Sequence, residues 1–266
     1  MAEPDLDELL ALALDLARRA VRIHREGRDR PLEVETKSTR TDLVSRVDAE
    51  AERAVVDALR RVRPHDAILA EEHADVRGTS GVRWLIDPLD GTVNYVHGYP
   101  MYAASIGVEV DGELAAGAIV DSVREVAYTA RRGGGASRDG EPIRPSDQTD
   151  LSRCLIATGF SYSAARRAEQ AGVVAHLLPL VADVRRGGSA ALDLAAVAAG
   201  NVDAFYEIGL NPWDLAAGEV IVAEAGARVE ELAVVGSDDP LVLAAPTQLF
   251  EAVRGLLEEG GIRFAG

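Results

Sequence analysis

The stretch WLIDPLDGTVNY, residues 84 to 95, constrains this chain more than any other. Trp84, Leu85 and Ile86 read as a short buried strand, yet Asp87 and Asp90 follow at its end with Pro88 and Leu89 between them. The pattern predicts strand, turn and helix. Pro88 stiffens the turn, Gly91 admits an unusual backbone angle, and both carboxylates sit at the C-terminal end of the strand, aimed at one point. Two ionised carboxylates held together in a partly dry site repel strongly, so they share a proton or surround a cation. Ligation by oxygen alone selects hard ions such as Mg²⁺ or Mn²⁺ over zinc. The plain structural alternative has Asp90 capping the helix that follows and Asp87 paired with an arginine.

Two further acidic positions bear on that choice. ILAEEH places Glu71 and Glu72 directly after an apolar, strand-like run, where they would otherwise be a solvated strand end. NPWDLAAGEVIVAEAGA places Asp214 in the first turn of a helix, with Pro212 suited to its start and Gly226 to its end. Taken alone, Asp214 is a partner of the helix dipole. The combination matters because Gly91 and Thr92 open a helix whose backbone N–H groups can cradle a phosphate. Acids for a metal beside donors for phosphate point to metal-assisted phosphoryl hydrolysis.

The remaining pattern gives an α/β chain in two styles. Leu6, Leu9, Leu10, Ala13, Leu14 and Ala17 recur at helical spacing, and a second helix is predicted from about Ala49 to Val62, stopped by Pro64. From Trp84 to Ile143 the runs alternate as in a largely antiparallel sheet, with Asp111-Gly112 as a hairpin turn. RRGGGASRDGEP is predicted to be an exposed turn; it lacks the Lys-Ser/Thr of a P-loop. After about Pro145 strands and helices alternate: CLIATGF, a helix over 164–178, a strand near Val184, a helix over 189–199, VDAFYEI, a helix over 213–225, VLAAP and a last helix. We expect one domain over 1–266, with an α+β half to about 145 and an α/β half from about 146.

Composition limits the partners. Of 266 residues, 28 are Lys or Arg and 44 are Asp or Glu, a net charge of −16 that repels nucleic acid and anionic membrane unless reversed locally. No apolar run approaches a membrane span. The acidic N-terminus is unlike a secretory signal, and the single cysteine, Cys154, reads as a buried hydrophobe in a reducing compartment. A cytoplasmic location is expected. The histidines share no metal-ligand spacing.

DPLDGTVNY resembles the signature of the inositol monophosphatase family, and NPWDLAAGEVIVAEAGA resembles its second signature. AEEH, KSTRTDLVSRVD and GGSAALDLAAVAAGNVDAFYEIG match intervening family motifs in order, over roughly residues 6 to 265. The resemblance implies a five-layer αβαβα sandwich, a homodimer and a Mg²⁺-dependent site, with Mn²⁺ as a possible substitute. It implies that Glu71, Asp87 and the Leu89 carbonyl hold one ion, that Asp87, Asp90 and Asp214 hold a second, and that Glu71 reaches a weaker third. A water activated by the ions would be oriented by Glu71 and the Thr92 hydroxyl, with Asp48 orienting the threonine. Gly91 and Thr92 N–H groups would bind phosphate, Glu207 would accept substrate hydroxyls, and the backbone near Ser189-Ala190 would line the same pocket, as would Asp90 and Asp214. Ala70, Tyr95, Ser45 and Ala227 depart from the usual family residues, and Lys37 and Asp42 fall in a loop that in the family closes over the metals.

The substrate implied is a small phosphate monoester, inositol-1-phosphate first and histidinol phosphate second. Selectivity is assigned to residues 161–185 and Glu207, where Arg166, Arg167, Arg185 and Arg186 are either pocket residues or surface charge. A different class stays open: some bacterial relatives act as binding factors of the transcription machinery, and Arg18, Arg19, Arg60, Arg61 and Arg63 could form a local basic patch.

Overall fold

The computed structural model describes residues 4–31, 34–36 and 43–265. Helix α1 (Leu6–Arg28) starts at Asp5, whose carboxylate accepts the N–H groups of Asp7 and Glu8, and buries one stripe from Leu9 to Val21. Strands β1 (Val34–Thr36) and β2 (Leu43–Ser45) pair as an antiparallel ribbon. Lys37 and Asp42 lie outside the described residues. Helix α2 (Arg46–Val62) begins earlier than its apolar spacing predicts, because Ser45 and Asp48 close a capping box around its first turn.

The larger sheet is built from β3 (Ala67–Ala70), β4 (Asp75–Val76), β5 (Val82–Asp90), β6 (Ala103–Val110), β7 (Glu113–Asp121), β8 (Ala127–Arg131), β9 (Gly135–Arg138) and β10 (Glu141–Pro142), with the short helix α3 (Thr92–His97) after β5. Its order is β10-β9-β8-β7-β6-β5-β3-β4. Every pair is antiparallel except β3 and β5.

Two expectations change here. Asp87 and Asp90 are not separated by a turn: β5 runs through both, and its register against β6 slips, Asp87 facing Ser105 and Asp90 facing Ala103. Three steps on β5 oppose two on β6, a bulge, where a proline without an N–H is tolerated. RRGGGASRDGEP is not one exposed turn either. After the glycine turn it forms β9 and β10, joined at Asp139-Gly140, both with positive φ.

The smaller sheet holds β11 (Leu155–Thr158), β12 (Asp183–Arg185), β13 (Ala204–Ile208), β14 (Ala227–Leu232) and β15 (Leu241–Pro246), in the order β12-β11-β13-β15-β14. Between them run α4 (Ala164–Leu177), α5 (Ala190–Ala198), α6 (Pro212–Glu224) and α7 (Thr247–Glu259). Helices α1 and α2 cover one face of the large sheet, α5 and α6 fill the space between the sheets, and α4 and α7 lie over the outer face of the small one. The result is an αβαβα sandwich with three buried apolar layers. Cys154 is fully buried and its thiol is pushed up to about 11 by burial, as suits a packing residue. No helix among the described residues is long and apolar enough to cross a membrane.

Candidate active site

A cavity of about 650 Å³ opens where β3 and β5 of the large sheet and β11 and β13 of the small sheet end, at the starts of α3, α5 and α6. Glu71, Asp87, Leu89, Asp90, Gly91, Thr92, Ala190, Glu207 and Asp214 all line it. Asp48 stands just behind: fully buried on α2, it accepts the Thr92 hydroxyl at 2.7 Å, while its other oxygen takes the N–H and hydroxyl of Ser45. The Leu89 carbonyl lies 3.1 Å from the same Thr92 oxygen. Gly91, at φ 90°, caps α3, and a β-carbon there would press on the Met101 and Gly188 carbonyls.

The carboxylates of this cavity repel one another. Asp87, 2% exposed, is raised well above the ordinary carboxylate range, first by burial and then by Glu71, Asp90 and Asp214. Asp214 is raised by burial and by Glu71, Asp90 and Glu207, against the pull of the Asn211 N–H. Asp90 rises only to about 6, because Ser189, Ala191, Ala190 and Arg186 offset its burial. Glu207 rises to about 7 through burial, with Arg186 opposing.

Several of these acids have local partners. Asp214 closes a capping box, its Oδ2 accepting the Asn211 N–H at 2.6 Å. Asp87 Oδ1 accepts the Leu89 N–H at 2.9 Å. Asp90 is a cap, though of a different helix from the one its position in sequence suggests. It accepts the Ser189 hydroxyl and the N–H groups of Ala190 (3.3 Å) and Ala191 (3.0 Å), at the start of α5. As they stand, no three His, Cys, Asp or Glu side chains among the described residues close into a ligating group. The donor set fits a hard divalent cation by its chemistry: oxygen only and largely buried, with Asp87 and Asp214 raised by burial and then by neighbouring carboxylates, a repulsion that a bound cation would relieve. Glu71, Asp87, the Leu89 carbonyl, Asp90 and Asp214 are the groups that could hold it.

Of the four arginines near the site in sequence, Arg166 and Arg186 line the cavity, whereas Arg185 pairs with Asp183 and Arg167 bonds the Ser161 carbonyl. Sequence reasoning missed the Ser189 hydroxyl as a donor to Asp90. It also missed Gly159, which lies beside Glu207 because Thr158 pairs with Tyr206; a β-carbon there would overlap the Glu207 carboxylate. Asn94 was missed as well: its amide spans the Met101, Gly187 and Gly188 carbonyls and fixes the loop before α5. The GG step before Ser189 was the available signal for that loop.

A layered α/β sandwich with an acidic cavity between its sheets defines the class. The chain belongs to the inositol monophosphatase family, whose model matches residues 5–258. It is 50% identical over 205 residues to the inositol-1-monophosphatase SuhB of Mycobacterium tuberculosis (strain ATCC 25618 / H37Rv), covering 74% of this chain and 71% of that protein. It is 42% identical over 226 residues to Nus factor SuhB of Escherichia coli (strain K12), covering 84% and 85%. The solved structure of Mycobacterium tuberculosis SuhB superposes with a TM-score of 0.82 at 38% identity, over 97% of this chain and 99% of that one.

Proposed function

We propose that this chain is a Mg²⁺-dependent phosphatase of small phosphate monoesters, inositol-1-phosphate first among them. One observation carries the reading: Glu71, Asp87, Asp90 and Asp214 face one cavity together with the Gly91-Thr92 helix start, and Asp48 holds the Thr92 hydroxyl. The name of the Mycobacterium tuberculosis relative supports the substrate.

Glu71, Asp87 and the Leu89 carbonyl would hold one ion, Asp87, Asp90 and Asp214 would hold a second, and Glu71 would reach a weaker third. Bound there, the ions supply Lewis acidity toward the phosphoryl oxygens and lower the pKa of water. The chain's own part is positional. Asp48 accepts the hydrogen bond of the Thr92 hydroxyl, so the lone pairs of the Thr92 oxygen are left to receive a water that Glu71 would also orient. The N–H groups of Gly91 and Thr92 receive the phosphate. Glu207, raised to about 7 by burial, would accept substrate hydroxyls. Ala190 reaches the substrate through Asp90, to which its N–H is bound.

The test is phosphate release from inositol-1-phosphate and histidinol phosphate, with Mg²⁺ and with EDTA, and with Asp90→Asn as control. Mg²⁺-dependent release from inositol-1-phosphate, lost in the variant, is the expected result; preference for histidinol phosphate would keep the chemistry and overturn the substrate. A homodimer and a cytoplasmic location belong to the same proposal and are checked by sedimentation and cell fractionation.

A second reading, a binding factor of the transcription machinery, is favoured by the Escherichia coli relatives that carry the name Nus factor. RNA polymerase captured by both the wild type and Asp90→Asn would support it as a role separate from hydrolysis; no capture by either would remove it.

A further inference from the structure

His24 lies on α1, far in sequence from the acids, and is completely buried. Its Nε2 is 2.8 Å from the Pro88 carbonyl and its Nδ1 is 2.8 Å from the Ser122 hydroxyl. A carbonyl only accepts, so Nε2 carries the proton and Nδ1 accepts from Ser122. Burial lowers the imidazole to about 4, which keeps this tautomer neutral at ordinary pH. Ser122 is 3% exposed and anchored by its own N–H to the Tyr102 carbonyl at 3.0 Å.

The Pro88–Leu89 peptide is thus held at both ends. Its oxygen accepts from His24, and its N–H donates to Asp87 Oδ1 at 2.9 Å. A continuous path runs from the Ser122 hydroxyl through the imidazole and this peptide to the Asp87 carboxylate, and successive hydrogen bonds polarise one another. The bulge takes this peptide out of the regular β5–β6 register, so the neighbouring strand does not supply this support. The backbone of His24 grips the same segment further on: its carbonyl accepts the Tyr95 hydroxyl at 2.9 Å, and the Tyr95 and Tyr102 rings stand edge to face at 5.1 Å beside the imidazole. Gly27 leaves room for the Tyr95 hydroxyl, since a β-carbon there would meet it.

We infer that His24 is a positioning residue for the cation site, setting the orientation of the Pro88–Leu89 peptide and, through it, of the Asp87 carboxylate and the Leu89 carbonyl. The inference rests on the reading that these groups hold a divalent cation. A residue that merely filled the core could be replaced by another ring of similar size with no effect on ion binding.

The test is Mn²⁺ binding, read directly from the electron paramagnetic resonance signal of the free ion, on folded wild type, His24→Phe, His24→Gln, Ser122→Ala and Asp90→Asn. Loss of an outer partner of a ligand costs about 10-fold in affinity or more, so His24→Phe is expected to bind about tenfold more weakly. His24→Gln, which keeps an N–H donor, should recover most of the affinity, and Ser122→Ala should fall between. Wild-type affinity in folded His24→Phe, or a glutamine no better than phenylalanine, overturns the inference. If His24→Phe does not fold, unchanged affinity in Ser122→Ala overturns it instead. A wild type that takes up no Mn²⁺, or takes it up equally well with Asp90→Asn, refutes the cation site itself and is distinguishable from either outcome.

Discussion

The two walls of the cavity are built in opposite ways. The segment from Asp87 to Tyr95 is gripped from every side: Asp48 and His24 from the helical layer, Ser189 and the start of α5 from the middle layer, and Asn94 across to the loop before α5. The facing wall, Phe160 to Arg167, is held from outside by the Arg166–Asp239 ion pair, whose members are 46% and 43% exposed, and by Gln170 accepting the Ser161 N–H. Helix α4 behind it buries only Val173 and Leu177. An exposed ion pair stabilises by about 1 kcal/mol or less, whereas the first wall is buried except at Gly91 and Val93 and is tied down by several hydrogen bonds. Under the proposed function, chemistry that fails on a misplaced atom would fall to the tightly bonded wall and fit to a leaving group to the exposed one.

Substitutions on the two walls should separate these roles. Asp90→Asn is expected to cause the largest loss, on the order of a thousandfold in phosphate release, since it removes a charged group proposed to hold an ion; circular dichroism checks that the chain still folds. Thr92→Val should cost about a hundredfold by deleting the hydroxyl that Asp48 orients, and Thr92→Ser should restore most of it. A valine variant with unimpaired kcat would break the assignment of Thr92 to water positioning.

The pH dependence distinguishes ligands from their support. Because Asp87 and Asp214 are raised well above the usual range and Asp90 to about 6, protons compete with the ion, and the Mg²⁺ concentration giving half-activity should rise as pH falls toward 6. His24 acts in stability. Its pKa falls from 6.5 unfolded to about 4 folded, so its contribution is full above 6.5 and is lost as pH drops through the interval to 4. Urea titrations should show the advantage of wild type over His24→Phe shrinking by about 3 kcal/mol across that window. The smallest effect is expected at the loose wall. Asp239→Ala should leave the melting temperature within about 2 °C, as befits an exposed pair, and shift the ratio of kcat/KM between inositol-1-phosphate and a bulkier ester a few-fold.

The contrast also explains what could be read from the residues. Asp87, Asp90, Glu71 and Asp214 were legible because each stands at the edge of a strand or helix that its neighbours define locally. Asp48 and Thr92 became a pair only through the family resemblance, and the structure brings them to 2.7 Å. The bulge at Pro88 was read as a turn because Pro and Gly mark turns and bulges alike, and only the pairing with β6 tells them apart. Ser189, Gly159 and His24 act on groups contributed by other elements, so no local spacing announces them. Asp214 does sit in the first turn of its helix, as its plain alternative had it, whereas Asp90 caps α5 and not the helix that follows it.

The bond from Asp90 to the start of α5 spans 99 residues. Synthesis from the N-terminus delivers the strands of the large sheet, with Glu71, Asp87 and Asp90, before α5 or Asp214 exists. Until then Asp90 has neither its cap nor the last acid beside it. Under the proposed function both halves are needed, and a chain truncated after the large sheet, though it carries Glu71, Asp87 and Asp90, should release no phosphate.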